Sequence, residues 1–241
     1  MTNRLDGVRA LVTGAGGGVG GELVARLLAE GASVVPADLA APTLPDAAPG
    51  IALDVTDDDS CAAAVESAVE RLGGLDLLVN AAGVMVRKDA LATDTATWQG
   101  VLDVNLSGVY RMSRAAFAPL AASDRAAIVS ISSTHAFLAA KNSIAYSVSK
   151  AGVSHLTRLL ALEWAEHRIR VNAVAPTVVP SPMTADVLAD PAYLARKFTA
   201  IPLGEPIPAA AVAGAVAYLA SPDAAQITGQ VLVLDGGESL P

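Results

Sequence analysis

A single cysteine, Cys61, in a chain of 241 residues leaves no partner for an internal disulfide. It follows Asp57-Asp58-Asp59-Ser60, with no His or second Cys nearby, so it reads as a small packed residue. No metal set is expected. Aromatic residues make up 4 % and charged residues 17 %, the latter below the quarter usual in globular proteins. Positive charge is the scarcer sign: 16 Lys and Arg against 24 Asp and Glu give a net charge of −8. Such a chain lacks the cationic surface that a phosphate backbone or an anionic bilayer would select, so neither nucleic acid nor membrane is an expected partner. Long apolar runs are also missing. The longest uncharged stretch, Pro206–Pro222, is rich in Ala, carries Pro and is shorter than a membrane span. Residues Met1–Gly7 show no signal-peptide core, and the expected setting is cytoplasmic.

What is present is apolar: 53 % of residues are hydrophobic. They fall in short runs separated by segments of helical spacing. Strands are expected at Val8–Thr13, Ser33–Ala37, Ile51–Asp54, Leu75–Asn80, Ala126–Ser132, Arg170–Ala175 and Gln230–Asp235. Helices are expected at Gly18–Glu30, Asp57–Leu72, Thr95–Ala122, Tyr146–His167, Pro191–Thr199 and Pro208–Ala220. Residues 39–50 and 176–190 read as loops. Near-continuous Val, Leu, Ile and Ala strands alternating with helices predict an α/β fold, a doubly wound Rossmann sheet of about seven parallel strands with helices on both faces. No linker or repeat divides residues 1–241, so one domain is expected.

The first turn, Thr13-Gly14-Ala15-Gly16-Gly17-Gly18-Val19-Gly20, joins the first strand to the first helix. A pyrophosphate needs free backbone N–H groups at a helix start and no side chains in the way. Glycines at 14, 18 and 20 suit the tight turn, the close approach and the helix–sheet packing. Asp38 closes the second strand, where a carboxylate can bind both adenosine ribose hydroxyls and repel a 2′-phosphate. With Gly17, Leu39 and Ala40 as neighbours and no cation, the expected cofactor is NAD.

Tyr146 and Lys150 stand four apart on an expected helix and so share a face. A phenol titrates near 10, too high for acid/base work at neutral pH, and an adjacent ammonium favours its ionised form. Ser132-Ser133 ends a strand thirteen residues earlier, at the strand end where ligands sit in this architecture.

At these positions the sequence resembles the short-chain dehydrogenase/reductase family. The matching segments are Thr13–Gly20, Asn80-Ala81-Ala82-Gly83, Asn105 in Val104-Asn105-Leu106, Ser133, Tyr146 with Lys150, Val171–Pro176, and Thr228-Gly229-Gln230 with Asp235-Gly236-Gly237. They run through the chain in the family's order. The resemblance implies Tyr146 as general acid/base and Lys150 as the group that lowers its pKa and holds the nicotinamide ribose. Ser133 would orient the substrate oxygen, and Asn105 would fix a water that relays protons to Lys150. Gly14, Gly17, Gly18, Val19 and Gly20 would hold the diphosphate. Asp54 and Val55 would border the adenine, Asn80, Ala81 and Gly83 its ribose, and Val179 and Ser181 the nicotinamide amide. Family members usually form homotetramers, or homodimers, through the helices expected at 95–122 and 146–167.

Ala81 departs from the family's frequent second Asn, Ala136 from a usual Gly, and Thr177 from the Gly usual after Pro176. The last puts a left-handed backbone there in question, since Thr resists positive φ. The implied activity is NAD-dependent interconversion of a secondary alcohol and a ketone. The alternatives are a reductase of acyl-carrier-protein thioesters and a non-catalytic nucleotide sensor on the same scaffold. His135, two residues past Ser133, is a candidate substrate contact beside Ser133 and Tyr146. The expected partner is a small-molecule alcohol or ketone.

Overall fold

Seven short apolar segments pair side by side, all in parallel, into one sheet of order β3-β2-β1-β4-β5-β6-β7. A computed structural model describes residues 3–240. The strands are β1 (Arg9–Thr13), β2 (Ser33–Asp38), β3 (Ile51–Ala52), β4 (Leu77–Asn80), β5 (Ala127–Ile131), β6 (Arg170–Pro176) and β7 (Val231–Leu234). Their order reverses direction on leaving β1, so the crevice beyond the C-terminal ends of β1 and β4 is the topological switch point.

Strands buried on both faces need two helical layers. On one face α1 (Gly18–Ala29) packs with α9 (Ala209–Ala220), through Leu23, Leu27, Val212 and Val216. On the other, α2 (Asp58–Leu72) and α6 (Ile144–Glu163) join Met112 and Leu120 over Leu11, Leu78 and Ile128. Buried Cys61 belongs to that layer, and burial pushes its thiol up to about 11. Among the described residues no helix is long and apolar enough to cross a membrane.

Three expectations need correction. The helix expected over 95–122 is three: α3 (Thr95–Leu102), α4 (Gly108–Ala115) and α5 (Phe117–Ala121). A π-helical turn, Asp103–Ser107, separates the first two and carries Asn105. Its wider winding sits where Gly108 presses against Val55, so closely that a Cβ at 108 would lie 2.9 Å from Val55 Cγ2. Pro119 supplies the second break, because its ring conflicts with the carbonyl four residues earlier. The loop expected at 176–190 also contains structure: a 3₁₀ turn at Pro182–Thr184 and a short α7 (Ala185–Leu188), followed by α8 (Pro191–Ala200). Ser181 and Thr184 form a capping box there, a local hydrogen-bond pattern that the prolines obscure in sequence. Strand β3 is shorter than expected because the chain turns after Ala52, where the Asp54 carboxylate accepts hydrogen bonds from the Thr56 amide and hydroxyl.

Candidate active site

The glycine turn is built by backbone against backbone. Gly14 takes φ +67°, and a Cβ on it would lie 2.6 Å from the Ala82 amide nitrogen. One on Gly20 would overlap the Gly14 carbonyl. Thr13 Oγ1 accepts the amides of Ala81 and Ala82, at 3.2 and 3.3 Å, and so ties the turn after β4 to the turn after β1. Gly17 is the N-cap of α1 and has no side chain to cap it. The amides of Gly18, Val19 and Gly20 have no hydrogen-bond partner among the described residues. That is a cradle for an anion.

Asp38 lies across this turn. Its Oδ2 accepts the Gly16 amide at 2.9 Å and its Oδ1 the Leu39 amide at 2.8 Å. Leu39 is largely exposed, and no cation pairs with Asp38 among the described residues. Asp54 and Val55 lie where the chain leaves β3, Asp54 held by Thr56 and Val55 packed on Gly108. Asn80 turns inward: its Nδ2 donates to Ser113 and Ser130, and its buried Oδ1 has no partner. The Asn80 side chain is therefore committed to Ser113 and Ser130 rather than to the crevice.

Tyr146 and Lys150 project from the first turns of α6, and Ser133 starts the turn after β5. Lys150 Nζ donates to the Ile131 carbonyl at 2.7 Å and sits 5.6 Å from the centre of the Tyr146 ring. Burial lowers its pKa to about 8. Burial raises that of the Tyr146 phenol, while the Ser133 hydroxyl and the Arg87 guanidinium draw it down. In this state burial outweighs both, and the phenol's pKa is raised. The His135 ring stands edge-on to Tyr146, 5.6 Å between centroids, with Nδ1 buried and unpartnered. Burial lowers its pKa, with Lys197 and Arg87 acting in the same direction and Glu238 against them, so the imidazole is neutral at pH 7.

Asn105, fully buried in the π turn, clamps Val84: Oδ1 accepts its amide at 2.8 Å and Nδ2 donates to its carbonyl at 2.9 Å. Nδ2 also donates to Ser149 Oγ at 3.0 Å. The side chain is thus committed to positioning. A Cβ on Gly83 would lie 3.4 Å from Asn105 Oδ1 and 3.6 Å from Lys150 Nζ, so these groups surround one point.

Residues 177–208 cover the crevice. Val179 is buried, and its carbonyl accepts Thr184 Oγ1 at 2.6 Å. The Ser181 amide donates to the same hydroxyl at 3.0 Å. Ser181 and Pro182 abut Gly18, which places this segment over the glycine turn. Thr177 does not take positive φ. It sits in ladder register, its amide donating to the Leu234 carbonyl at 2.9 Å. Its hydroxyl donates to Glu238, which also pairs with Lys197 of α8. The departure at 177 thus supplies a hydroxyl tie rather than strain.

Thr13, Thr184 and Glu238 are positioning groups that a reading for chemistry passes over. Thr13 and Glu238 flank the glycine motifs directly, and the spacing of Ser181 and Thr184 was the available signal for the cap. Arg87 had no signal of its own.

A family model described as enoyl-(acyl carrier protein) reductase matches residues 14–239. The chain is 41 % identical to cis-4-hydroxycyclohexanecarboxylate dehydrogenase of Sinomonas cyclohexanicum, over 95 % of each protein. It is 38 % identical to galactitol 2-dehydrogenase (L-tagatose-forming) of Cereibacter sphaeroides, over 97 % of this chain and 96 % of that protein. A gluconate 5-dehydrogenase of Burkholderia cenocepacia, crystallised with NADP and tartrate, superposes with a TM-score of 0.94 at 30 % identity, covering 99 % of this chain and 98 % of that one. With the parallel sheet, the glycine turn at its switch point and the Tyr146–Lys150 pair at its mouth, these matches place the chain among the oxidoreductases of the short-chain dehydrogenase/reductase family.

Proposed function

We propose that this enzyme interconverts a secondary alcohol and a ketone with NAD(H), using Tyr146 as the acid/base. The observation that carries the reading is the half-buried Tyr146 with Lys150 Nζ 5.6 Å from its ring and Ser133 beside it at the end of β5. The cofactor fits the chain on its own geometry. The unpartnered amides of Gly18, Val19 and Gly20 would take the diphosphate, and Asp38 the adenosine ribose. Val179 and Ser181 would border the nicotinamide, which when bound donates or accepts the hydride. Asp54 and Val55 would flank the adenine.

In the reducing direction Ser133 and Tyr146 hold the carbonyl oxygen, and the phenol gives it a proton. A phenol raised by burial is protonated at neutral pH and ready to do so. Lys150, anchored on the Ile131 carbonyl, then favours the phenolate and returns a proton towards it. Asn105 keeps Val84, Gly83 and Lys150 in register for that relay. Neutral His135 offers its free Nδ1 to a substrate polar group.

The carboxylate at 38, with no cation paired to it among the described residues, supports NAD rather than NADP, although the gluconate 5-dehydrogenase of the same fold holds NADP. The same carboxylate weighs against an acyl-carrier-protein thioester reductase, and the intact Tyr146–Lys150 pair against a nucleotide sensor. The relatives direct the search to polyols and cyclic hydroxy acids. Exposed Tyr110, Val148, Leu159 and Leu162, on α4 and α6, support a homotetramer or homodimer through those helices. An alcohol library assayed with NAD and with NADP at 340 nm tests the reading. Reduction of NAD by at least one secondary alcohol is expected, and no turnover with either cofactor would overturn it.

A further inference from the structure

Four residues beyond Gly83, Arg87 lies on a segment fixed at both ends. Asn105 clamps Val84, and Lys88 forms a parallel bridge with Ser143, one residue before the helix that carries Tyr146. From there Arg87 reaches across the crevice to the covering segment. Its Nη1 donates to the Met183 carbonyl at 3.1 Å and to both Asp186 oxygens at 3.2 Å. The Arg87 side chain is only 26 % exposed, while that of Asp186 is 62 % exposed. All these contacts use one nitrogen, so Nη2 and Nε have no partner among the described residues. The guanidinium also lies near enough to Tyr146, His135 and Tyr193 for its charge to act on each.

Of the other charges near Tyr146 and His135, Arg196 stacks on the Tyr193 ring, and those that act on the two site rings are already matched. Lys197 is paired with Glu238, whose second oxygen is held by Thr177, and His135 is neutral. Arg87, by contrast, pairs with a largely hydrated carboxylate through long contacts, an arrangement that contributes little to stability and exchanges easily. A guanidinium with two open donors presents the fork that suits a carboxylate.

We propose that Arg87 is a specificity-determining residue that binds a substrate carboxylate remote from the reacting carbon, displacing Asp186. The substrate class is then a hydroxy acid and its keto acid, with ring or chain atoms between the two ends. This deepens the alcohol dehydrogenase reading and rests on it.

The test compares a cyclic hydroxy acid with its primary amide, which has the same shape and no charge. In the wild type, kcat/KM for the acid is expected to exceed that for the amide by at least tenfold. R87Q should cut this ratio by at least tenfold and R87K by less, since an ammonium keeps the charge and loses the fork. D186N, outside the chemistry, should lower KM for the acid and leave that for the amide unchanged. Equal kcat/KM for acid and amide, or an R87Q ratio like the wild type's, overturns the proposal and leaves the dehydrogenase reading intact. Should no alcohol turn over, thermal protection of the NADH-loaded protein by cyclohexanecarboxylate, present in the wild type and lost in R87Q, decides the inference separately. Absence of that protection in the wild type counts against it.

Discussion

The two sides of the crevice are held together in different ways. Around the glycine turn, backbone meets backbone: Gly14 against Ala82, Gly20 against Gly14, the Ala15 amide on the Ala37 carbonyl. On the substrate side, side chains reach across long stretches of sequence: Lys197 to Glu238, Arg87 to Asp186, Thr177 to Glu238. The first arrangement is stiff and tolerates few residues. The second can be re-paired by changing single side chains while the scaffold stays fixed. A family that keeps one cofactor chemistry and varies its substrates needs both.

The largest effect is expected where the two sides meet. Tyr146→Phe removes the proposed proton donor and leaves the glycine turn untouched, so turnover should fall by about 10²–10⁴-fold. NADH binding, followed by fluorescence titration, should stay within threefold. Activity within tenfold of wild type would show that the phenol is not the acid/base.

Gly20→Ala tests the stiffness of the cofactor side. The added methyl overlaps the Gly14 carbonyl, and overpacking of this kind costs about 1–3 kcal/mol. A lower Tm and a NADH Kd raised tenfold or more are expected. An unchanged Tm together with unchanged Kd would mean that the turn is softer than its contacts indicate.

Asp38→Ala combined with Leu39→Arg removes the carboxylate proposed to face the ribose and adds a cation beside it. The ratio of kcat/KM for NAD to that for NADP should fall at least tenfold, because a 2′-phosphate then meets positive charge. Equal wild-type efficiency with both cofactors would remove Asp38 from the discrimination.

The smallest effect sharpens the substrate side. His135→Ala takes away a neutral ring that stands edge-on to Tyr146 but holds no proton in the relay. KM should rise severalfold, with kcat changed by less than threefold. Unchanged KM for every accepted substrate would make His135 a packing residue.

Legibility in the sequence follows the same division. The alternation of strands and helices, the glycine turn, Asp38 and the Tyr146–Lys150 spacing were all readable, because each is a pattern of neighbours a few residues apart. The break of the helix expected over 95–122 was not, since its π turn answers to Val55 and Val84, which lie far away in sequence. Asn80 was placed at the right strand end, but its inward rotamer depends on Ser113 and Ser130. The doubt over Thr177 dissolves only when β7 and Glu238 are in place.

Sequence by itself determined the class of fold and the position of the glycine turn, because backbone freedom and hydrophobic period are local properties. Only the tertiary structure decided which charges act on Tyr146 and His135. Arg87, Lys197 and Glu238 are ordinary surface letters in the chain. Folding brings the last two together across 41 positions and sets Arg87 against the covering segment 99 positions away. Electrostatic energy depends on separation in space, and that separation exists only once the sheet has formed.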